Sequence, residues 1–123
     1  MMPVAYSWLP VALILRALAA VAVVVPSAWI HALTMGALSS LMMAMMMRST
    51  LGHTGRKLVA SRMDMAAFLA LQAAALIRVV AGSAGNYQTL VNVSGLVWAL
   101  AFVLFLARYL PMLVQPRVDG NPG

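Results

Sequence analysis

The sequence predicts an all-α fold, a polytopic membrane helical bundle with four transmembrane helices. Three observations carry that expectation. Hydrophobic residues make up 64% of the 123, charged residues only 8%, and mean hydropathy is +0.97. A chain of that composition needs lipid as its solvent. A hydrocarbon core about 30 Å thick takes about 20 apolar residues at about 1.5 Å rise each, and four runs approach that length. Turn-forming residues separate them.

The first run extends from Trp8 to Val25. Nothing basic precedes it and Arg16 interrupts it, so it reads as a retained span and not as a signal peptide. Pro26-Ser27 breaks the chain, with Ser27 placed to cap the second helix, whose span covers Trp29 to Met47. Gly52-His53-Thr54-Gly55 then reads as a loop, followed by the third span, Met63 to Ala81. Gly82-Ser83-Ala84-Gly85-Asn86 separates this from the fourth, Leu90 to Ala107, which is expected to stop near Pro111. An extended tail through Pro116 and Pro122 follows, so residues 1–123 form a single four-span domain with a tail at 108–123. No internal repeat is present.

Charge sets the expected orientation. Arg48, Arg56, Lys57 and Arg62 surround the second loop, Arg108 and Arg117 follow the last span, and the first and third loops carry no charge. The positive-inside rule puts the second loop and both termini in the cytoplasm. A net charge of +6 and a pI of 11.3 raise nucleic acid as a partner. The cations are scattered along membrane borders with no aromatic residues arranged to stack bases, and nucleic-acid binding is excluded on that ground.

Two arginines escape the topogenic account. Arg16 falls near the middle of the first run and Arg78 about a turn from the outer end of the third. Neither has an acidic residue at its depth, because Asp64 lies at the start of the third span and Asp119 in the tail. An unpaired intramembrane cation asks for an anion, a water-filled cavity or a route to the interface. Arg78 can snorkel and Arg16 cannot, so Arg16 is expected to meet a functional or inter-helix partner from outside this chain. Arg78 ends a stripe of small residues, Ala66, Ala70 and Ala74, which normally marks a packing face. It therefore faces either a ligand or cavity in the bundle or the interface.

With no cysteine, any metal must be held by imidazole, thioether, oxygen or a cofactor's own donors. The second span carries a small-residue stripe, Ala32, Gly36, Ser40 and Ala44, that permits close helix approach. Beside it, His31, Met35, Ser39, Met42 and Met46 share a face by three- and four-residue steps. An imidazole above thioethers is a set of soft donors for haem iron or Cu(I). Packing alone also explains methionines in an apolar helix, and an interfacial role explains His31. His53, in its glycine-flanked loop, is either a presented imidazole or a solvated one. The two histidines start near opposite membrane faces, about 24 Å of helix separating His31 from Met47 alone.

Several spaced motifs resemble the NnrS family. They are His31-Ala-Leu-Thr-x-Gly36, then Arg48-x-x-Leu-Gly-His53-Thr-Gly-Arg56, then Arg108-Tyr-x-Pro-x-Leu-x-x-Pro116-Arg117-x-Asp119-Gly-x-Pro-Gly. The methionines after Leu41 are denser than the family pattern, and Asn121 stands where a basic residue is expected. The resemblance implies a bacterial cytoplasmic (inner) membrane protein that contains haem and copper and takes part in the response to nitric oxide. It implies a match to the C-terminal portion of a longer polytopic chain, and carries over His31, His53 and Arg56 as candidates for haem or copper contact or for anchoring. A cofactor carboxylate such as a haem propionate would supply the anion for Arg78 or Arg16.

The resulting expectation is an integral membrane haem- or copper-binding protein of nitrosative stress. The candidate cofactor-binding residues are His31, Arg78, Arg16, His53 and Arg56, and the candidate metal ligands His31, His53, Met35, Met42 and Met46. Lipid is the surrounding partner, with a homo-oligomer or a separate polypeptide supplying further N-terminal helices. A methionine-rich copper-handling protein and a split remnant with a structural role are the alternatives. No nucleophile with an adjacent base and no pair of acids supports catalysis. A proton-coupled exporter would need an intramembrane carboxylate that this chain lacks.

Overall fold

The computed structural model describes residues 1–120, and every regular element among them is helical. Four helices are long and apolar enough to cross a membrane: α1 Met2–Ala20, α2 Pro26–His53, α3 Arg62–Ala81 and α4 Tyr87–Leu113. Connections are short, so successive helices run antiparallel and the ends sort into two groups. The N-terminus, the α2–α3 loop and the tail gather at one end with Arg48, Arg56, Lys57, Arg62, Arg108 and Arg117, here called the basic end. Arg16 and Arg78 lie toward the other, far end.

Helix α1 starts and stops earlier than the apolar run. Pro3 sits in its first turn, where a fixed φ is pre-set for the helix and a missing N–H costs nothing. Its C-terminus closes on Ala22 at φ +59, with Val23 N–H donating to Leu18 O at 2.9 Å and Ala22 N–H to Ala19 O at 3.1 Å. That is a Schellman ending with alanine in the left-handed place usually taken by glycine. Val25 is extended ahead of Pro26, as the residue before a proline prefers. The valine run 23–25 is therefore apolar but not helical.

Helix α2 begins at Pro26 with no side-chain cap, so Ser27 does not serve the capping role expected of it. From Ala32 to Leu38 it widens into π-helical turns. Two hydroxyls mark the change: Thr34 Oγ1 donates to Ile30 O at 2.8 Å and Ser39 Oγ to Thr34 O at 3.0 Å. A four-residue step overshoots a full α-helical turn by about 40°, whereas the wider turn accommodates more residues. The π segment thereby keeps Ala32, Gly36, Ser40 and Ala44 on one side, and all four are buried. Trp8 of α1 lies flat on the bare backbone of Gly36, where a Cβ would come within 2.4 Å of the indole.

The alanines of α3 behave differently. Ala66 is exposed and Ala70 half-buried, and only Ala74 of that stripe is fully buried. Drift of about 40° per step carries the stripe across the helix surface. The face that packs is Ala67, Phe68, Leu71, Gln72, Ala74 and Ala75, set by its bulky members. Helix α3 opens with a capping box in which Ser61 and Asp64 exchange backbone-to-side-chain hydrogen bonds at 3.2 and 2.7 Å.

The core divides in two along the bundle. Trp8, Ala12, Ala32, Ala37 and Ala75 pack together toward the middle, with Met35 against them. Met43, Met47, Leu51, Leu71, Phe105 and Tyr109 fill the basic half, with Met46 against them. A buried polar chain ties α1, α2 and α3: Trp8 Nε1 donates to Gln72 Oε1 at 2.6 Å, and Gln72 Nε2 to Ser40 Oγ at 2.7 Å. Ser94 Oγ on α4 donates to Ala74 O at 2.9 Å, holding the α3–α4 pair. Helix α4 continues past Pro111 to Leu113. Asn121 and Pro122 of the expected tail lie outside the described residues.

Candidate functional site

The far end brings together residues from three helices. Arg16 lies four residues before the end of α1, about 6 Å of helix, and so not at mid-membrane as the apolar run suggests. Its guanidinium sits 5.5 Å from the centre of the Trp29 ring on α2, a cation–π contact. Arg16 thus has a partner within this chain, and it is aromatic rather than acidic. His31 follows Trp29 on α2, partly buried, and the charge of Arg78 on α3 acts on it directly. Among the described residues Arg78 makes no ion pair, and its Nε is buried with no hydrogen-bond partner.

Met35 follows His31 by four residues and packs toward the Trp8 cluster. Met42 is 54% exposed on the outer surface, and Met46 packs toward the Tyr109 cluster. They lie about 16 and 22 Å along the helix from His31, and the intervening π turns also alter the phase of the face. The structure therefore groups His31 with Met35 and Arg78, and leaves Met42 and Met46 apart.

His53 is the last residue of α2 and exposed, where the sequence suggested a loop. It stands about 33 Å of helix from His31. After it the chain turns through Gly55 at φ +71, with Arg56 N–H donating to Leu51 O at 2.9 Å and Gly55 N–H to Gly52 O at 3.2 Å. This Schellman turn receives the tail. Val118 N–H donates to Thr54 O at 3.3 Å, and the Asp119 carboxylate lies where a Cβ on Gly55 would be, within 2.7 Å. Arg117 grips Asp119 through Nε and Nη2 at 2.9 and 2.6 Å, and this hydrogen-bonded carboxylate raises the guanidinium pKa above its ordinary value. Arg56 Nη1 is buried in this region without a hydrogen-bond partner among the described residues. The Gly52–Arg56 and Pro116–Gly120 motifs, distant in sequence, form one clasp.

Asp64 is 1% exposed, and its Oδ1 lies 2.7 Å from Arg108 Nε. That pairing neutralises the acid at the mouth of α3. Sequence reasoning passed over Gln72 and Trp8, although a lone amide inside an apolar run is itself a signal of a buried polar contact.

No group of three or more His, Cys, Asp or Glu residues that could hold a metal ion occurs among the described residues. A macrocycle that brings its own in-plane nitrogens asks the protein for only an axial ligand and an anchor for its carboxylates. His31 and the unpartnered Arg78 Nε fit that request in chemistry. In comparisons with known proteins, no curated protein and no solved structure matches. A family model described as NnrS protein matches residues 1–117. With four apolar helices of membrane-crossing length, and that match over nearly all of its sequence, the chain is a membrane protein and belongs to the NnrS family.

Proposed function

We propose that the chain binds haem or copper in the membrane and acts in the response to nitric oxide or nitrosative stress, through the far-end site around His31 and Arg78. One observation carries the reading: the Arg78 guanidinium has a buried Nε with no partner and lies within electrostatic reach of the His31 imidazole. A cation in so apolar a setting is stabilised by an anion, and a propionate of haem has that charge and a carboxylate geometry that suits arginine. His31 would hold the metal through its imidazole, with the Met35 thioether as the next soft donor and Arg78 holding the carboxylate edge. The bound group would supply a metal centre able to exchange electrons and take a small diatomic ligand. Arg16 on Trp29 is a second cation available to the same edge.

His53 and Arg56 belong to the clasp and serve anchoring in this reading. Met42 and Met46 take no part in the His31 site. The basic end faces the cytoplasm with both termini, in a bacterial inner membrane, by the positive-inside rule. The apolar surfaces of α1 and α4 leave room for a second copy or a separate helical polypeptide. The test is expression in membranes, then a reduced-minus-oxidised optical spectrum and metal analysis of one purified sample. Haem absorbance with matching iron supports the reading; copper without haem bands moves it to a copper protein. Folded protein with neither overturns it.

A further inference from the structure

A second site lies at the basic end, and its chemistry is independent of the far-end reading. A cavity of about 430 Å³ opens between the start of α1, the last turns of α2 and the beginning of α3. That volume is in the range of small-molecule sites, about 300–1,000 Å³. Met2, Met47 and Leu51 give it apolar walls, while Arg48, Asp64 and Tyr109 bring polar groups to it.

The balance of charge in this cavity decides what it accepts. Both Asp64 oxygens are engaged, Oδ1 by Arg108 Nε at 2.7 Å and Oδ2 by the Ser61 N–H at 2.7 Å. Its negative charge is thus answered within the protein. Among the described residues Arg48 forms no ion pair, and it stands exposed at the rim, leaving the cavity with a positive charge that none of them compensates. Tyr109 is fully buried, and its hydroxyl lies beside Asp64 and Arg108.

We propose that this cavity binds an anionic phospholipid, its phosphate on Arg48 and the start of its acyl chains along Met47 and Leu51. Basic pockets between helices at the cationic face of a membrane protein suit such headgroups. Apolar walls continuous with the lipid phase let the chains remain in the bilayer. Arg56, Lys57 and Arg62 lie at the same end, but among the described residues Arg48 is the only cationic side chain that lines the cavity.

The test exposes detergent-purified protein to equimolar dioleoyl phosphatidylglycerol and dioleoyl phosphatidylcholine and counts retained lipid by native mass spectrometry. The expected result is one retained phosphatidylglycerol at roughly fivefold preference, because both lipids carry the phosphate but the choline cation of phosphatidylcholine cancels the net charge that Arg48 attracts. Arg48→Gln brings the preference to about one to one, Arg48→Lys keeps part of it, and Arg62→Gln, an exposed cation outside the cavity, leaves it unchanged. Because the readout is a ratio within each sample, a change in overall stability does not mimic the effect. An unchanged preference in Arg48→Gln, or an equal loss in Arg62→Gln, overturns the proposal. Retention of oleate in place of phosphatidylglycerol, with the same Arg48 dependence, overturns the phospholipid assignment in favour of a free fatty acid.

Discussion

Gly36→Ala tests the packing of the bundle through the sign of its effect. A glycine in an open helix position gains about 1 kcal/mol on becoming alanine. At Gly36 the added carbon would lie 2.4, 2.6 and 2.7 Å from three atoms of the Trp8 ring. These atoms belong to a rigid ring and not to the end of a flexible chain, so the indole itself must move. Overpacking of this kind costs about 1–3 kcal/mol. Moving the ring also strains the 2.6 Å bond from Trp8 Nε1 to Gln72, and inter-helix hydrogen bonds in membranes are worth about 0.6 kcal/mol on average. Against the propensity gain, the net expectation is a loss of about 0.6–2.6 kcal/mol. Reversible unfolding in mixed detergent micelles, followed by tryptophan fluorescence and circular dichroism, measures it. Repeating the substitution in a Trp8→Ala background removes the collision, so the alanine should there be neutral or stabilising. A stabilising Gly36→Ala in the wild-type background, or an equal loss in both backgrounds, would refute the Trp8–Gly36 contact.

Three further substitutions probe separate features. Ala22→Gly relieves the left-handed strain that ends α1, and should raise stability by about 0.5–1 kcal/mol after the entropy of the more flexible unfolded chain is subtracted; the same unfolding assay reads it. Asp64→Asn leaves Arg108 without its anion and should cost about 3 kcal/mol, the low end for a broken buried pair because Arg108 keeps 23% exposure. Adding Arg108→Gln should recover part of that loss in a double-mutant cycle. Gly55→Ala forces a side chain into a left-handed residue and against Asp119, costing about 1–2 kcal/mol; the tail then loosens, and trypsin should cleave after Arg117 faster than in the wild type.

The four apolar runs were legible because hydropathy integrates over about 20 residues. Their ends were not. The valines before Pro26 are as apolar as a helix interior, and only the turn through Ala22 separates them from α1. The Ala32–Ala44 stripe was read correctly, although its burial depends on π turns that no spacing rule signals. The same rule failed on Ala66, which ordinary α-helical drift carries off the packed face, while Ala70 stays half-buried against the Tyr109 cluster. Arg16 was misplaced with the run that contained it, and a search confined to acidic partners overlooked Trp29. The neighbourhood of His31 and Arg78 followed from counting depth on two antiparallel helices. The clasp between Gly55 and Asp119 could not be inferred from either motif alone, since 64 residues separate them in the sequence.

The central claim is that His31 holds a metal group whose carboxylate edge meets Arg78. A reduced-minus-oxidised spectrum of purified His31→Ala beside wild type and His53→Ala tests it most directly. Loss of the haem bands in His31→Ala, with His53→Ala unchanged, is the predicted result. Full haem absorbance and iron content in folded His31→Ala would contradict it.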